Sequence, residues 1–135
     1  MLMSDESRIL AGILFLSLVT VETGGLYLVK LWKDAAGATP FQIGFARAGH
    51  AHAGVLLVLG LLCQLYVDQA GLADGWAWVA RSGVPVAAIL MPAGFFAASM
   101  GRGRTQPNGF IAMVFAGGAA MAVGLATLGV GLLTV

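Results

Sequence analysis

Charged residues are scarce in this chain of 135 residues, with 7 Lys and Arg against 6 Asp and Glu. They make up 10% of the sequence, whereas an ordinary soluble domain has about 25%. A formal net charge of +1 provides no basic face to neutralise several phosphates, which argues against nucleic acid as a partner. The sequence is 59% apolar, and this composition is typical of an integral membrane protein.

Cysteine is nearly absent, because Cys63 is the only one. A single thiol excludes an internal disulfide and any metal motif rich in cysteine. The leucines around Cys63 indicate a buried thiol that packs as a small hydrophobic side chain.

Four apolar segments are near the length of about 20 residues that crosses a bilayer as a helix. Backbone polar groups find no water inside lipid, so helices must satisfy them within each segment. The first segment follows Asp5 and Glu6 and has no convincing cleavage site, so we expect a retained helix. We predict one all-α integral membrane domain over residues 1–135, a four-helix bundle with spans at about 9–30, 41–67, 76–100 and 109–135.

The distribution of basic residues predicts the orientation of the bundle. Only Arg8 and Arg81 lie at the end that carries the chain termini. Positive residues in short loops favour the cytoplasmic side, so we expect both termini outside a prokaryotic inner or plasma membrane. The opposite end carries Lys30, Lys33, Arg47, Arg102 and Arg104.

Small residues crowd the fourth span, and a spacing of four residues lets helix backbones approach closely in lipid. Gly117 and Gly118 either extend this packing or leave a flat surface for a planar cofactor. The residues that recur at this spacing are Ala116, Ala120 and Gly124.

Two prolines, Pro85 and Pro92, interrupt the third span on nearly the same face. Each removes the helical hydrogen bond to the carbonyl four residues earlier, at Arg81 and Ala88. We therefore expect a kink or a bent pocket wall in the third helix.

His50 and His52 are the only imidazoles, and both lie in an apolar run near the start of the second span. An ionisable group inside a membrane segment is costly and indicates a functional site. On a regular helix the two differ by about 200° in direction, so they cannot both ligate one metal from that helix. The alternative interpretation is a histidine that is hydrogen-bonded within helix packing.

Glu22 is an intramembrane carboxylate in the first span. Counted from the basic end at 1.5 Å per residue, Glu22 lies about 12 Å deep and His52 about 10 Å deep. A carboxylate in lipid is costly unless it is protonated or paired, so a contact of Glu22 with His52 or His50 is an attractive hypothesis. The same residues could form a proton relay in a conducting or transporting oligomer.

A single imidazole in an apolar slot suits axial ligation of haem iron. Either His52 or His50 could supply this ligand, and Arg47 at the basic end could bind a haem propionate. Zinc is less suited, since it normally takes three or four protein ligands.

Several short motifs accompany the four spans. An Arg47-Ala48 pair and a His52-Ala53-Gly54 element open the second span, Gly94-Phe95-Phe96 stands near the end of the third, and Pro107-Asn108 lies in the loop before the small-residue-rich fourth. In these features the chain resembles the small membrane isomerases typified by styrene oxide isomerase and, more distantly, hydroxylaminobenzene mutase.

The resemblance implies a homotrimer in the lipid bilayer, with haem b between protomers and His52 as its ligand. In that family ferric haem acts as a Lewis acid on a small apolar epoxide and yields a carbonyl compound. The family's Asn six residues after the histidine and its third-span Tyr correspond here to Val58 and Phe96. Glu22 and Tyr27 of the first span are candidates for the missing catalytic role. A non-catalytic haem protein for electron transfer, gas sensing or haem handling is the alternative.

Overall fold

The computed structural model describes residues 3–33 and 37–135, and these fold into four helices. Each helix is long and apolar enough to cross a membrane, which confirms the all-α, four-span prediction and indicates an integral membrane protein. The helices are α1 (Asp5–Lys33), α2 (Pro40–Val67), α3 (Asp74–Ala98) and α4 (Ile111–Leu133).

The helix boundaries differ from the predicted spans where polar residues extend or stop a helix. α1 begins at Asp5 and ends at Lys33, beyond both predicted limits. Acidic residues in its first turn and basic residues in its last turn complement the helix dipole, so the helix continues past its apolar stretch. α3 ends at Ala98, before the predicted Met100, and α4 begins at Ile111, after the predicted Gly109; the side chain of Asn108 forms hydrogen bonds beside both helix ends. Its amide donates to the carbonyl of Ala97 at 2.9 Å, and its side-chain oxygen accepts from the N–H of Phe110 at 2.9 Å.

α2 begins with a capping box that also fastens it to α3. The Thr39 hydroxyl accepts from the N–H of Gln42 at 3.2 Å, and the Gln42 side chain accepts from the N–H of Thr39 at 3.1 Å. The Gln42 amide donates to the carbonyls of Ser99 at 2.9 Å and Gly101 at 2.7 Å. These bonds set the start of α2 against the end of α3.

The helices pack antiparallel in chain order, with α3 between α2 and α4 and with α1 resting mainly on α2. The closest approach joins α3 to α4, because a Cβ on Gly83 would lie 2.6 Å from the carbonyl oxygen of Ala120 and 2.7 Å from the Cα of Gly124. This contact confirms that small residues in the fourth helix permit close packing. The buried core consists mainly of Leu56, Cys63, Val67, Ala80, Val84, Ala87 and Leu128.

One end of the bundle, here called the terminal end, holds the chain termini and the connection between α2 and α3. The backbone N–H of Ser4 donates to Asp68 at 2.8 Å, and Leu72 packs against Gly131. The opposite end is called the loop end, and it carries the connection between α3 and α4.

A polar cluster around the buried Arg81 joins α1, α2 and α3 at the terminal end. Arg81, only 6% exposed, donates to Asp68 at 2.8 Å and to Ser7 and Ser4 at 3.2 Å each. Burial raises the pKa of the Asp68 carboxyl, but hydrogen bonds from Ser4, Ser7 and Arg81 outweigh it and hold that pKa below its ordinary value. The cluster therefore contributes an ion pair and an anchor for the start of α1.

Pro85 leaves the carbonyl of Arg81 without its helical donor, as the sequence predicts. The side-chain amide of Gln64 takes that place, donating to the Arg81 carbonyl at 2.9 Å across the interface between α2 and α3. Gln64 is fully buried, and its side-chain oxygen has no hydrogen-bond partner in the described part of the chain. α3 remains a continuous helix from Asp74 to Ala98.

Candidate functional site

His52 lies half-buried on α2 and stacks against an aromatic ring of α3. Its ring centroid is 4.9 Å from that of Phe95, with the planes tilted by 38°. Its Nδ1 is 2.7 Å from the carbonyl oxygen of Ala48, one turn earlier on α2. Because a carbonyl only accepts, Nδ1 must carry the proton of this bond. In the neutral ring, Nε2 therefore keeps the lone pair that a metal ion could bind.

The ring of His52 ends a row of aromatic side chains that leads toward the loop end. Phe95 meets Phe45 edge to face at 5.4 Å between centroids, and Phe45 lies 4.2 Å from Phe41. Phe41 and Phe45 are one turn apart on α2, so they share a face. His52 therefore lies against an apolar wall that holds its ring in place.

His50 faces a different neighbour. Its ring packs against α1 at Gly24 and Gly25, where an added Cβ would lie 3.1 Å from Nδ1 and 3.5 Å from Cε1 of His50. The absence of side chains at these two glycines makes room for the imidazole. The two histidines therefore contact different helices, His50 with α1 and His52 with α3, as their angular separation predicts.

Glu22 is exposed on α1. Gly24 of α1 meets His50 of α2, and the two helices are antiparallel. Glu22 lies two residues before Gly24 and His52 two residues after His50, so Glu22 and His52 lie at the same level. The predicted agreement in depth therefore holds. Among the described residues, however, Glu22 makes no hydrogen bond or ion pair with either histidine, so rotation of α1 separates groups that depth brings level.

Arg47 is exposed and lines an apolar groove together with Leu28 and Trp32 of α1. His52 contacts α3 instead. Within one chain the structure therefore does not bring Arg47 to the face of α2 that carries His52.

Gly117 and Gly118 have different surroundings. A Cβ on Gly117 would lie 2.6 Å from Cγ of Met91, so this glycine permits close packing of α4 on α3. A Cβ on Gly118 would meet no atom within 4 Å in the part of the chain that is described. Of the two interpretations of this pair, close packing accounts for Gly117, and only Gly118 leaves open space.

Tyr27 and Phe96 line one cleft of about 360 Å³ between α1 and α3 at the loop end. Phe96 also lies against Gly49, where a Cβ would be 2.9 Å from its ring, and the Cβ of the adjacent Phe95 is 3.3 Å from the same point. From Gly49 the two side chains separate, so that Phe96 lines the cleft and Phe95 lies against His52. Val58 lies elsewhere, in the groove that contains His50.

Sequence reasoning missed three residues that position this region. Thr39 and Gln42 have the spacing of a capping box, a signal that was readable in the sequence. Gly49 carries no such signal, because only the approach of α3 reveals why a side chain is excluded there.

The described residues contain no group of three or more His, Cys, Asp or Glu side chains able to hold a metal ion. A metal site built on protein ligands alone, such as structural zinc, therefore has no support in that part of the chain. A cofactor that brings its own ligands needs only one axial donor, which His52 could provide. Comparisons with protein-family models, curated proteins and solved structures find no match to this chain.

Proposed function

We propose that this protein binds haem b through His52 and isomerises a small apolar epoxide, as its resemblance to styrene oxide isomerase implies. The observation that carries the proposal is the hydrogen bond from Nδ1 of His52 to the carbonyl of Ala48. Metal-binding histidines commonly donate their second ring N–H to a carbonyl, which fixes the tautomer and raises the basicity of the ligand. Phe95 holds the ring from the side.

The surroundings of His52 fit haem in two further respects. Phe95 and Phe45 form an apolar wall next to the ring, against which a macrocycle could bury its surface. His50 contacts α1 and cannot supply a second axial ligand from the same chain. The proposal therefore assigns His52 as the one residue of its own protomer that would hold the haem.

When bound, ferric haem supplies a Lewis acid that polarises the oxygen of an epoxide. His52 would hold the cofactor, and Phe95 and Phe45 beside it would exclude water from the apolar wall. Phe96 has no hydroxyl to orient a polar substrate atom. We assign that role to Tyr27, whose phenol shares the cleft of Phe96, with Glu22 as the second candidate.

An oligomer is part of the proposal because ionisable groups lie on exposed parts of the spans. Glu22 is exposed and His52 is only half-buried in a single chain. A carboxylate that faces lipid is costly, whereas one that is covered by another protein chain can be paired or hydrated. We therefore propose a homotrimer with haem between protomers, to be checked by the mass of the intact complex released from detergent.

The proposed location is a prokaryotic inner or plasma membrane with both termini outside. The loop end carries Arg102 and Arg104, whereas Arg81 at the terminal end is paired with Asp68 and buried. The positive-inside rule then assigns the loop end to the cytoplasm.

The deciding experiment compares His52→Ala with the matched control His50→Ala after expression with an adequate haem supply. We expect a Soret band in the wild type and in His50→Ala, and its loss in His52→Ala with the helical circular dichroism unchanged. A wild-type protein without haem, or a band that depends on His50 instead, would contradict the proposal. Turnover of an aryl epoxide to an aldehyde by the wild type, reduced in Tyr27→Phe, tests the reaction separately.

A non-catalytic haem protein is the second candidate, favoured by the apolar Val58 and Phe96 at the two helper positions. Such a protein would close both axial positions, for example with His50 from another chain. Electron paramagnetic resonance separates the two candidates. A low-spin signal of two imidazoles indicates the non-catalytic protein, and a high-spin signal that changes on addition of an azole indicates an open site.

A further inference from the structure

The cleft between α1 and α3 at the loop end, here called the loop-end cleft, has the character of a ligand site. Its volume of about 360 Å³ lies within the range of about 300–1,000 Å³ that is common for small-molecule sites. Leu31, Phe96 and Met100 contribute apolar wall, and Tyr27 and Arg102 contribute polar groups.

The cleft lies where α1 packs on α2, and among the described residues the hydrogen bonds that join α3 to the start of α1 lie at the terminal end. There, Arg81 of α3 donates to Ser7 and Ser4 near the start of α1. Within residues 3–33 and 37–135, no hydrogen bond of this kind joins α1 to α3 at the loop end. The gap between the two helices therefore stays open at the loop end, where Tyr27 and Phe96 both line it.

Two hydrogen-bond donors of the cleft are available to a ligand. The amide of Gln42 is already bound to the carbonyls of Ser99 and Gly101. Arg102 and the Tyr27 hydroxyl, in contrast, bond to none of the residues that the structure describes, and both residues are exposed. A guanidinium presents a planar fork of donors that matches a carboxylate or a phosphate.

The two donors also differ in depth. Arg102 follows the end of α3 in the connection to α4, whereas Tyr27 lies six residues inside the end of α1 at Lys33. At 1.5 Å per residue this is about 9 Å toward the membrane centre. A cation at the surface above an apolar wall is the arrangement that an amphiphile with an anionic head requires.

We propose that the loop-end cleft binds an anionic amphiphile, whose carboxylate or phosphate head pairs with Arg102 and whose alkyl chain lies along Leu31, Tyr27 and Phe96. The cleft shares Tyr27 with the proposed catalytic site, but His52 and Phe95 do not line it, so binding of the amphiphile does not depend on haem. The amphiphile gains a charge-assisted hydrogen bond at its head and buries its chain against apolar side chains.

The test uses the purified full-length protein in nanodiscs of phosphatidylcholine with a photoreactive palmitate as the probe. We expect crosslinks in the peptides that contain Tyr27 or Phe96. Arg102→Gln should weaken labelling about tenfold, the effect of one charge-assisted hydrogen bond. Arg104→Gln is the matched control, because Arg104 already donates to the carbonyl of Met100. Leu31→Trp should block the cleft and abolish labelling.

Equal effects of the two arginine substitutions, or labelling that survives both Arg102→Gln and Leu31→Trp, would overturn the proposal. Two competition arms identify the source of the ligand. Displacement of the probe by phosphatidylglycerol assigns the site to an anionic lipid, and displacement by oleate alone assigns it to a free fatty acid. The same assay on His52→Ala should give unchanged labelling, so failure of the haem proposal is distinguishable from failure of this one.

Discussion

Replacing Gln64 by leucine tests whether its amide compensates for the proline of α3. Gln64 is fully buried and donates to the carbonyl of Arg81 at 2.9 Å, a group that Pro85 leaves without a helical donor. Losing that donor leaves a buried carbonyl unpaired, at a cost of about 1–3 kcal/mol. The substitution also removes a side-chain oxygen that has no partner, which offsets part of this cost. We therefore expect Gln64→Leu to lower the free energy of unfolding by about 1–2 kcal/mol.

A second substitution isolates the interaction. Pro85→Ala restores a backbone N–H four residues after Arg81, so the helix itself can then satisfy the carbonyl. In that background Gln64→Leu should cost about 1 kcal/mol less than in the wild type, or about a fivefold difference in the unfolding equilibrium. The four proteins compared are the wild type, Gln64→Leu, Pro85→Ala and the double variant. In each of them the carbonyl of Gly60, the other acceptor of the Gln64 amide, remains paired with the helix backbone.

Reversible unfolding in mixed micelles with sodium dodecyl sulfate, followed by circular dichroism, measures the four free energies. Gln69→Leu is the control, because the side chain of this exposed glutamine donates to the carbonyl of Leu65 at 2.8 Å, four residues earlier in the chain, and its loss should change stability by less than about 0.5 kcal/mol. Additive effects of Gln64→Leu and Pro85→Ala, within about 0.5 kcal/mol, would refute the compensation.

Two further predictions use the same unfolding assay. Gly117→Ala should destabilise the protein by about 1–3 kcal/mol, because the added Cβ would lie 2.6 Å from Cγ of Met91. Gly118→Ala should destabilise it by less than about 0.5 kcal/mol, because the added Cβ would meet no described atom within 4 Å. Equal effects of the two substitutions would contradict this difference in packing. Asp68 should stabilise the folded protein fully above the ordinary carboxyl pKa of about 4, and this contribution should disappear as the pH falls through the lower pKa of the folded state. Asp68→Asn should therefore be less stable at neutral pH and show a weaker loss of stability in acid, whereas an acid response equal to that of the wild type would argue against the role of this carboxyl.

The candidate site shows where prediction from sequence reached its limit. The 3.6-residue period separated His50 from His52, and the rise per residue placed Glu22 at the level of His52. Neither number determines how α1 is rotated against α2. The hydrogen bond from His52 to Ala48 is local to one helix turn, yet the stack on Phe95 depends on the register between α2 and α3. That register is set in part by Gln42 at the loop end.

The sequence by itself determined that this protein has four apolar helices, because an apolar backbone segment in lipid must satisfy its own hydrogen bonds. Because charged residues are scarce in the sequence, His50, His52 and Glu22 stand out as ionisable groups within apolar spans. Only the tertiary structure decided which helix each imidazole contacts and that Gln64 serves the carbonyl freed by Pro85. These contacts depend on helix rotation and register, which arise from the packing of all helices together and leave no local pattern in the chain.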